Sequence, residues 1–316
     1  ANWMSSTKTA DERGDLVRGV QAVTNMADTL NISIPVGKDS LSMNVSWKDE
    51  KQEHAVTSPM TLNISSFSNV KDLNKSVTPE LSDSDSTILH LWSHEDKYRM
   101  GGSSLYQSYK LYGGETPDIE NMEGFKALFD ATQQLLDKGQ ILALHDISDG
   151  GLVTSLIEMA LCSNQGLDLI LDYPEKAKII PKLFSEESGL LVEVENKKLD
   201  EIKKYLGTLG VNYEEIARKN SQKKFTIKSF KETMFSSDLN TIFNEWSKVS
   251  FEMQKIRDTE QSAEQEKQAY KEFDEFLTPK ITFPIPDSGK RLFSQKPKVA
   301  LPVSYTHLTL PTIVGV

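Results

Sequence analysis

The stretch "QILALHDISDGGLVTSLIEMAL", residues 140–161, constrains the fold more than any other part of the chain. The apolar run at its start has the length of a strand buried on both faces and is too short for a helix. After the turn, Leu152, Leu156 and Ala160, joined by Val153, Ile157 and Leu161, recur at helical spacing. Between the two stand two acids, a serine and two glycines, which mark a turn. A buried strand therefore hands over to a helix through "HDISDGG", and a strand buried on both faces implies a sheet covered by helices.

The chain on either side is consistent with that. "TILHLW" starts a strand, and the periodicity then predicts helices near 103–112 and 122–138, a strand at 141–145, a helix at 150–162, and strands at 166–171 and 188–195. A helix at 197–208 and a strand at 223–228 follow. Such alternation argues for an α/β or α+β sandwich. Upstream, Leu16, Val20, Val23, Ala27 and Leu30 predict a helix over 15–30, and "SIPVGKDS" reads as a short strand closed by a turn. Leu41, Met43, Val45 and Trp47 alternate with polar residues, the period of a strand with one buried face. A further strand is expected from about Met60 to Phe67. The polar stretch over 71–86 places a domain boundary near residue 86. Residues 239–273 hold no glycine or proline and carry dense mixed charge, so they read as one or two long helices leading away from the second domain.

With 36 Lys+Arg against 46 Asp+Glu, the formal charge of −10 works against non-specific attraction to nucleic acid or an anionic membrane, so neither is expected as a partner. A phosphate ligand would need local devices to hold it. The single cysteine, Cys162, cannot form an intramolecular disulfide, and no apolar run approaches the roughly 20 residues of a spanning helix. A cytoplasmic setting is the expectation. Cys162 follows apolar Leu161, where a small buried residue is the usual role.

Three turns are candidates for chemistry. In "HDISDGG", Gly150 and Gly151 permit close backbone approach, and a helix N-terminus favours phosphate. Asp146 and Asp149 offer hard oxygen ligands suited to Mg²⁺, and Ser148 can donate to a phosphate oxygen. The same string also suits a helix capped by Asp149 or Ser148, with His145 a hydrogen-bonded residue at a strand end. In "PVGKDSLSM", Lys38 after Gly37 can reach a phosphate, although the turn is no Walker A loop, since Ile32 and Asp39 stand where that motif needs Gly and Ser or Thr. A solvated hairpin is the plainer reading there. In "MGGSSLYQSY", Gly101 and Gly102 open a helix, either as a phosphate-facing turn or as an ordinary helix start.

Taken in order, "ANWM", "IPVGKDSLSM", "GGSSLYQSY", "HDISDGGLVTSLIEMA" and "KVSFEMQKIRDTEQSAEQE" resemble the C-terminal half of the synthase core of phosphoribosylformylglycinamidine synthase of the large single-chain type. That family lies in the aminoimidazole ribonucleotide synthetase-like superfamily. The resemblance spans roughly residues 1–300. It implies a partial N-terminal, barrel-forming sheet domain over 1–85 and an aminoimidazole ribonucleotide synthetase-like C-terminal α/β sandwich over 86–232. A helical connector over 233–295 and the start of a glutaminase domain over 296–316 would follow. It further implies an ATP-dependent amidoligase of purine biosynthesis that converts formylglycinamide ribonucleotide to the amidine with ammonia from glutamine.

On that resemblance Asp146 is a magnesium ligand and Ser148 a nucleotide contact, with Lys38 and Gly150 beside them and ATP or ADP as the nucleotide. The partner metal ligands, a Glu and an Asn, are expected upstream of "ANWM", so the chain reads as a fragment that needs the N-terminal half and the glutaminase domain and is inactive alone. "KPKVA" resembles the first glutaminase strand, but "LPVSYTHLTLPTIVGV" does not continue it. From about residue 301 the tail reads as adapter-derived and, with Pro302 and Pro311 interrupting pairing, as loosely attached. Two alternatives stay open: a non-catalytic, nucleotide-stabilised scaffold half of that enzyme, and another ATP-using member of the superfamily.

Overall fold

The computed structural model describes residues 1–269 apart from 71, 94, 96, 173–175 and 231, together with 280 and 282. The expectations for the glutaminase strand and the 301–316 tail lie outside the described residues. The chain divides into two compact units, Ala1–Ala263 and Glu264–Val316.

The first part of unit 1 runs β1 (Asn2–Met4), α1 (Ala10–Leu30), β2 (Lys38–Ser40), β3 (Asn44–Lys48), β4 (Glu53–Thr57) and β5 (Thr61–Asn63). Strand β1 lies between β2, parallel, and β5, antiparallel, while β3 and β4 form a separate antiparallel pair. Helix α1 starts at Ala10, six residues before Leu16 opens the apolar stripe, because Thr9 and Glu12 form a reciprocal cap. The Glu12 N–H donates to Thr9 Oγ1 at 3.2 Å, and the Thr9 N–H donates to Glu12 Oε2 at 2.9 Å. The strand expected over 41–48 forms only as Asn44–Lys48, and its apolar face is uncovered: Val45 and Trp47 are 58% and 50% exposed, as is Val56 of the paired β4 at 56%. Alternation reports which residues share a face, and whether that face is covered depends on elements outside the strand.

The rest of unit 1 is one seven-stranded sheet. In chain order it comprises β6 (Ser86–Trp92), α2 (Ser104–Ser108), α3 (Met122–Asp137), β7 (Ala143–Asp146), α4 (Gly151–Ser163), β8 (Gly166–Ile170), α5 (Ile179–Phe184) and β9 (Gly189–Glu195). Then come α6 (Leu199–Thr208), β10 (Asn212–Asn220), β11 (Lys224–Ser229), β12 (Glu232–Asp238) and α7 (Leu239–Arg257); α8 (Glu260–Ala269) starts in unit 1 and continues past its last residue, Ala263. The strand order is β12-β11-β8-β10-β6-β9-β7, antiparallel throughout except for the β8–β11 pair.

Strand alternation feeds two cores. Ile88 and Leu191 join Leu152, Leu156 and Met159 of α4 and Ile179 of α5 on one face. Leu89, Leu91, Val192 and Val194 meet Leu128 and Leu135 of α3 and Ile202 and Leu206 of α6 on the other. The result is the expected sandwich, a sheet covered by helices on both faces.

Several elements depart from expectation. Strand β12 extends the sheet to Asp238, past residue 232. Helix α7 does not lead away: Leu239 and Ile242 enter the α4 core, and Trp246 Nε1 donates to Glu158 Oε1 at 3.2 Å. Helix α2 ends at Ser108, because Lys110 takes a positive φ of 56°. Strand β5 is three residues long instead of about eight.

One strand in from the β7 edge, Glu193 of β9 is fully buried and accepts from the Ser82 N–H at 2.9 Å, Ser82 Oγ at 3.0 Å, Ser86 Oγ at 2.6 Å and Lys219 Nζ of β10 at 2.8 Å. Lys219 Nζ also donates to the carbonyls of Ser82 and Ser84 at 2.5 and 2.6 Å. Removing one partner of a buried pair leaves an uncompensated charge. Lys219→Met is therefore expected to cost about 3–5 kcal/mol, read as a lowered urea midpoint at unchanged m-value.

Candidate functional site

Strand β7 is the sheet's edge, and Asp146 is its last residue. The Asp146 side chain is 72% exposed. His145 is held from both sides. Its Nδ1 lies 2.7 Å from the Asp146 carbonyl oxygen and 3.2 Å from Asp146 Oδ1, and its Nε2 lies 3.0 Å from Glu158 Oε2. Glu158 takes the Trp246 indole with its other oxygen. His145 is thus a hydrogen-bonded strand-end residue, with both ring nitrogens engaged.

The turn that follows is shaped by its glycines. Gly150 and Gly151 have φ of 88° and 73°, the left-handed region that glycine adopts without strain. A Cβ on Gly151 would lie 2.7 Å from the Ser185 carbonyl oxygen and 2.9 Å from that of Leu183. The end of α5 therefore packs directly against the start of α4. Neither Asp149 nor Ser148 caps α4. Its N-cap is Gly150, without a side-chain cap, and the Gly150 N–H donates to Glu186 Oε1 at 2.8 Å. Ser148 is half-buried; its N–H donates to Ser155 Oγ at 3.2 Å, and the two hydroxyls lie 3.4 Å apart.

The "GGSS" turn meets the "HDISDGG" turn at the same carboxylate, since the Ser104 N–H also donates to Glu186 Oε1, at 2.8 Å. Gly101 is required because a Cβ there would lie 2.6 Å from the carbonyl oxygens of Gly114 and Glu115. The neighbouring Glu187 is buried and bridges Arg99, with Arg99 Nε to Oε1 at 2.6 Å and Nη2 to Oε2 at 2.8 Å. That hydrogen-bonded carboxylate pushes the guanidinium pKa up, against the opposing cost of burial.

Lys38 lies elsewhere. Its Nζ donates to Ser40 Oγ at 3.0 Å, and the cavity of about 520 Å³ that it lines with Ala1, Ile34, Asn63 and Phe67 includes none of Asp146, Ser148 or Gly150. Cys162 is exposed, contrary to expectation, because Thr154, Glu158 and Cys162 form the outward stripe of α4. Residual burial, then the carboxylates of Glu158 and Glu80, pushes its thiol pKa up. Among the described residues no group of three or more His, Cys, Asp or Glu side chains could hold a metal ion, so Asp146 offers one oxygen donor and no complete ligand set. Among the same residues no helix is long and apolar enough to cross a membrane.

Residues 1–69 match the family model described as the FGAR-AT PurM_N-like domain, and residues 86–229 match the C-terminal domain of AIR synthase related protein. Among solved structures, PurL of T. maritima complexed with FGAR superposes with a TM-score of 0.51 at 12% identity, over 76% of this chain and 38% of that one. PurL of T. maritima complexed with AMPPCP gives 0.51 at 12% identity, over 75% and 36%. PurLQS from Thermotoga maritima gives 0.50 at 13%, over 76% and 37%. The fold is AIR synthase-like and related to that of FGAR amidotransferase. This chain spans little more than a third of the length of those PurL chains.

Within this AIR synthase-like fold, the two turns and the 183–187 segment form one packed junction. Gly151→Ala is expected to destabilise the protein by about 1–3 kcal/mol, because it combines a strained φ with a backbone clash. Thermal unfolding measures this, and an unchanged midpoint would show that α5 is free to withdraw.

Proposed function

We propose that this chain is part of the synthase core of an FGAR amidotransferase, which uses ATP to activate the amide of formylglycinamide ribonucleotide so that ammonia from glutamine yields the amidine. The observation that carries the reading is the order of the two matched domains, PurM_N-like and then AIR synthase C-terminal, with the glycine turn at the strand-to-helix junction of the second. The named complexes of two similar structures, with FGAR and with AMPPCP, support the substrate and nucleotide class. In this reading residues 1–85 and 86–232 are the two synthase units, with β12 completing the second as far as Asp238.

Asp146 is the carboxylate this chain offers to a magnesium ion, exposed at the end of β7 and free to join donors from elsewhere in the enzyme. Ser148 and Gly150 stand beside it as nucleotide contacts, and Lys38, the third nucleotide contact of this reading, lines a separate cavity. Since the described residues hold no complete ligand set, a nucleotide held here without turnover is the second reading, that of a scaffold half.

Both readings are separated in the full-length enzyme carrying Asp146→Asn. Mg²⁺-ATP at one hundred times Kd stabilises a folded protein by about 2.7 kcal/mol, and the substitution is expected to remove most of that gain while leaving the unliganded midpoint nearly unchanged. Amidine formation lost together with the gain favours the catalytic reading; formation retained per folded molecule favours the scaffold. An undiminished ligand-induced shift would exclude Asp146 as a metal ligand.

A further inference from the structure

Glu186 and Glu187 are adjacent in the chain and hold different partners. Glu187 is buried and binds Arg99 through both carboxylate oxygens, with the Arg99 N–H also donating to Oε1 at 3.2 Å. Glu186 is half-buried and accepts two backbone N–H groups on one oxygen, from Ser104 and Gly150, each at 2.8 Å. Backbone donors to a carboxylate make charge-assisted bonds, stronger than neutral ones. Helix α4 has no side-chain cap of its own, so the acceptor for the Gly150 N–H comes from a different element.

We propose that Glu186 is a positioning residue: it locks the 148–151 turn to the 101–104 turn and so fixes the backbone against which a nucleotide phosphate is received. Three features converge on this. Glu186 is a side-chain acceptor shared by the two turns. A Cβ on Gly151 would collide with the carbonyl oxygens of Leu183 and Ser185, so the segment bearing Glu186 packs on the turn as closely as a glycine allows. The Arg99–Glu187 pair anchors that segment to the chain just before "GGSS". The part concerning phosphate rests on the nucleotide reading of the turn; the lock itself does not.

The test compares Glu186→Gln, which keeps an acceptor oxygen and loses the charge, with Glu186→Ala, which loses both, in the full-length protein. Amide hydrogen exchange is read at Ser104 and Gly150 and, as controls, at Leu89 and Val192, alongside the Kd for Mg²⁺-ATP and Mg²⁺-ADP. The expected result for Glu186→Ala is at least tenfold faster exchange at Ser104 and Gly150 with the controls unchanged, and at least tenfold weaker nucleotide binding. Glu186→Gln is expected to stay within about threefold of the unsubstituted protein in both. Unchanged exchange in Glu186→Ala overturns the lock. Tighter binding in both variants overturns the positioning role, since it would make the carboxylate a repulsive neighbour of the phosphate. Absence of nucleotide binding by the unsubstituted protein overturns the nucleotide reading and the phosphate part with it, while the exchange measurement still decides whether Glu186 joins the two turns.

Discussion

The buried pair of Glu193 and Lys219 is the constraint on which the second half of unit 1 depends. The two residues stand on β9 and β10, the strands that flank β6, and Ser86 of β6 donates to the same carboxylate. A carboxylate excluded from water costs several kcal/mol unless its oxygens are matched by donors. Here the Ser82 N–H, the Ser82 and Ser86 hydroxyls and the Lys219 ammonium supply them. A one-residue slip of β9 would turn Glu193 to the opposite face among Leu89, Leu91 and α3, where those donors are absent. The pair therefore ties strand register to the path of the 82–86 segment that enters the sheet.

That arrangement also explains what the sequence conceals. Strands β6, β7, β8, β9 and β11 are apolar enough to be read from periodicity, and α3, α4 and α6 from their stripes. Strand β10 is central in the sheet yet reads "NYEEIARKN", which no hydrophobic pattern singles out. Three of its charges meet partners on other elements: Glu214 with Lys182 at 3.0 Å, Glu215 with Lys203 at 2.7 Å, and Lys219 with Glu193. Compensation of this kind has no local signature. The opposite error occurs at β3, where a clear alternation of Val45 and Trp47 is present and the face is not covered. In α1 a legible signal, the Thr9–Glu12 capping box, sets the true helix start.

The candidate site shows the same division. Two glycines between an apolar strand and an apolar helix gave away the turn, and both do take positive φ. Cys162 is exposed although it follows buried Leu161, because faces on a helix repeat every three or four residues and its companions are Glu158 and Thr154. Glu186 has no distinctive sequence mark, since an acid in "SEES" before a strand resembles a solvated turn. A retrospective signal does exist. An acidic pair just ahead of a buried strand, in a chain whose glycine turns lack capping side chains, is placed to accept orphan N–H groups.

The charged central strand and the site junction are physically continuous. Lys182 lies on α5 with its ammonium almost wholly buried, 3.0 Å from Glu214 of β10 and 4.7 Å from the centre of the Trp92 ring. Cation–π contact and an ion pair together hold α5 to the sheet more firmly than its short apolar face alone. Helix α5 ends at Phe184; Leu183 within it and Ser185 after it set carbonyls against Gly151, and Glu186 and Glu187 supply the acceptor for Gly150 and Ser104 and the partner of Arg99. The geometry of the glycine turns thus descends from β10 through Lys182 to Glu186. A substitution at Glu214, distant in sequence from both turns, has a direct structural route to them.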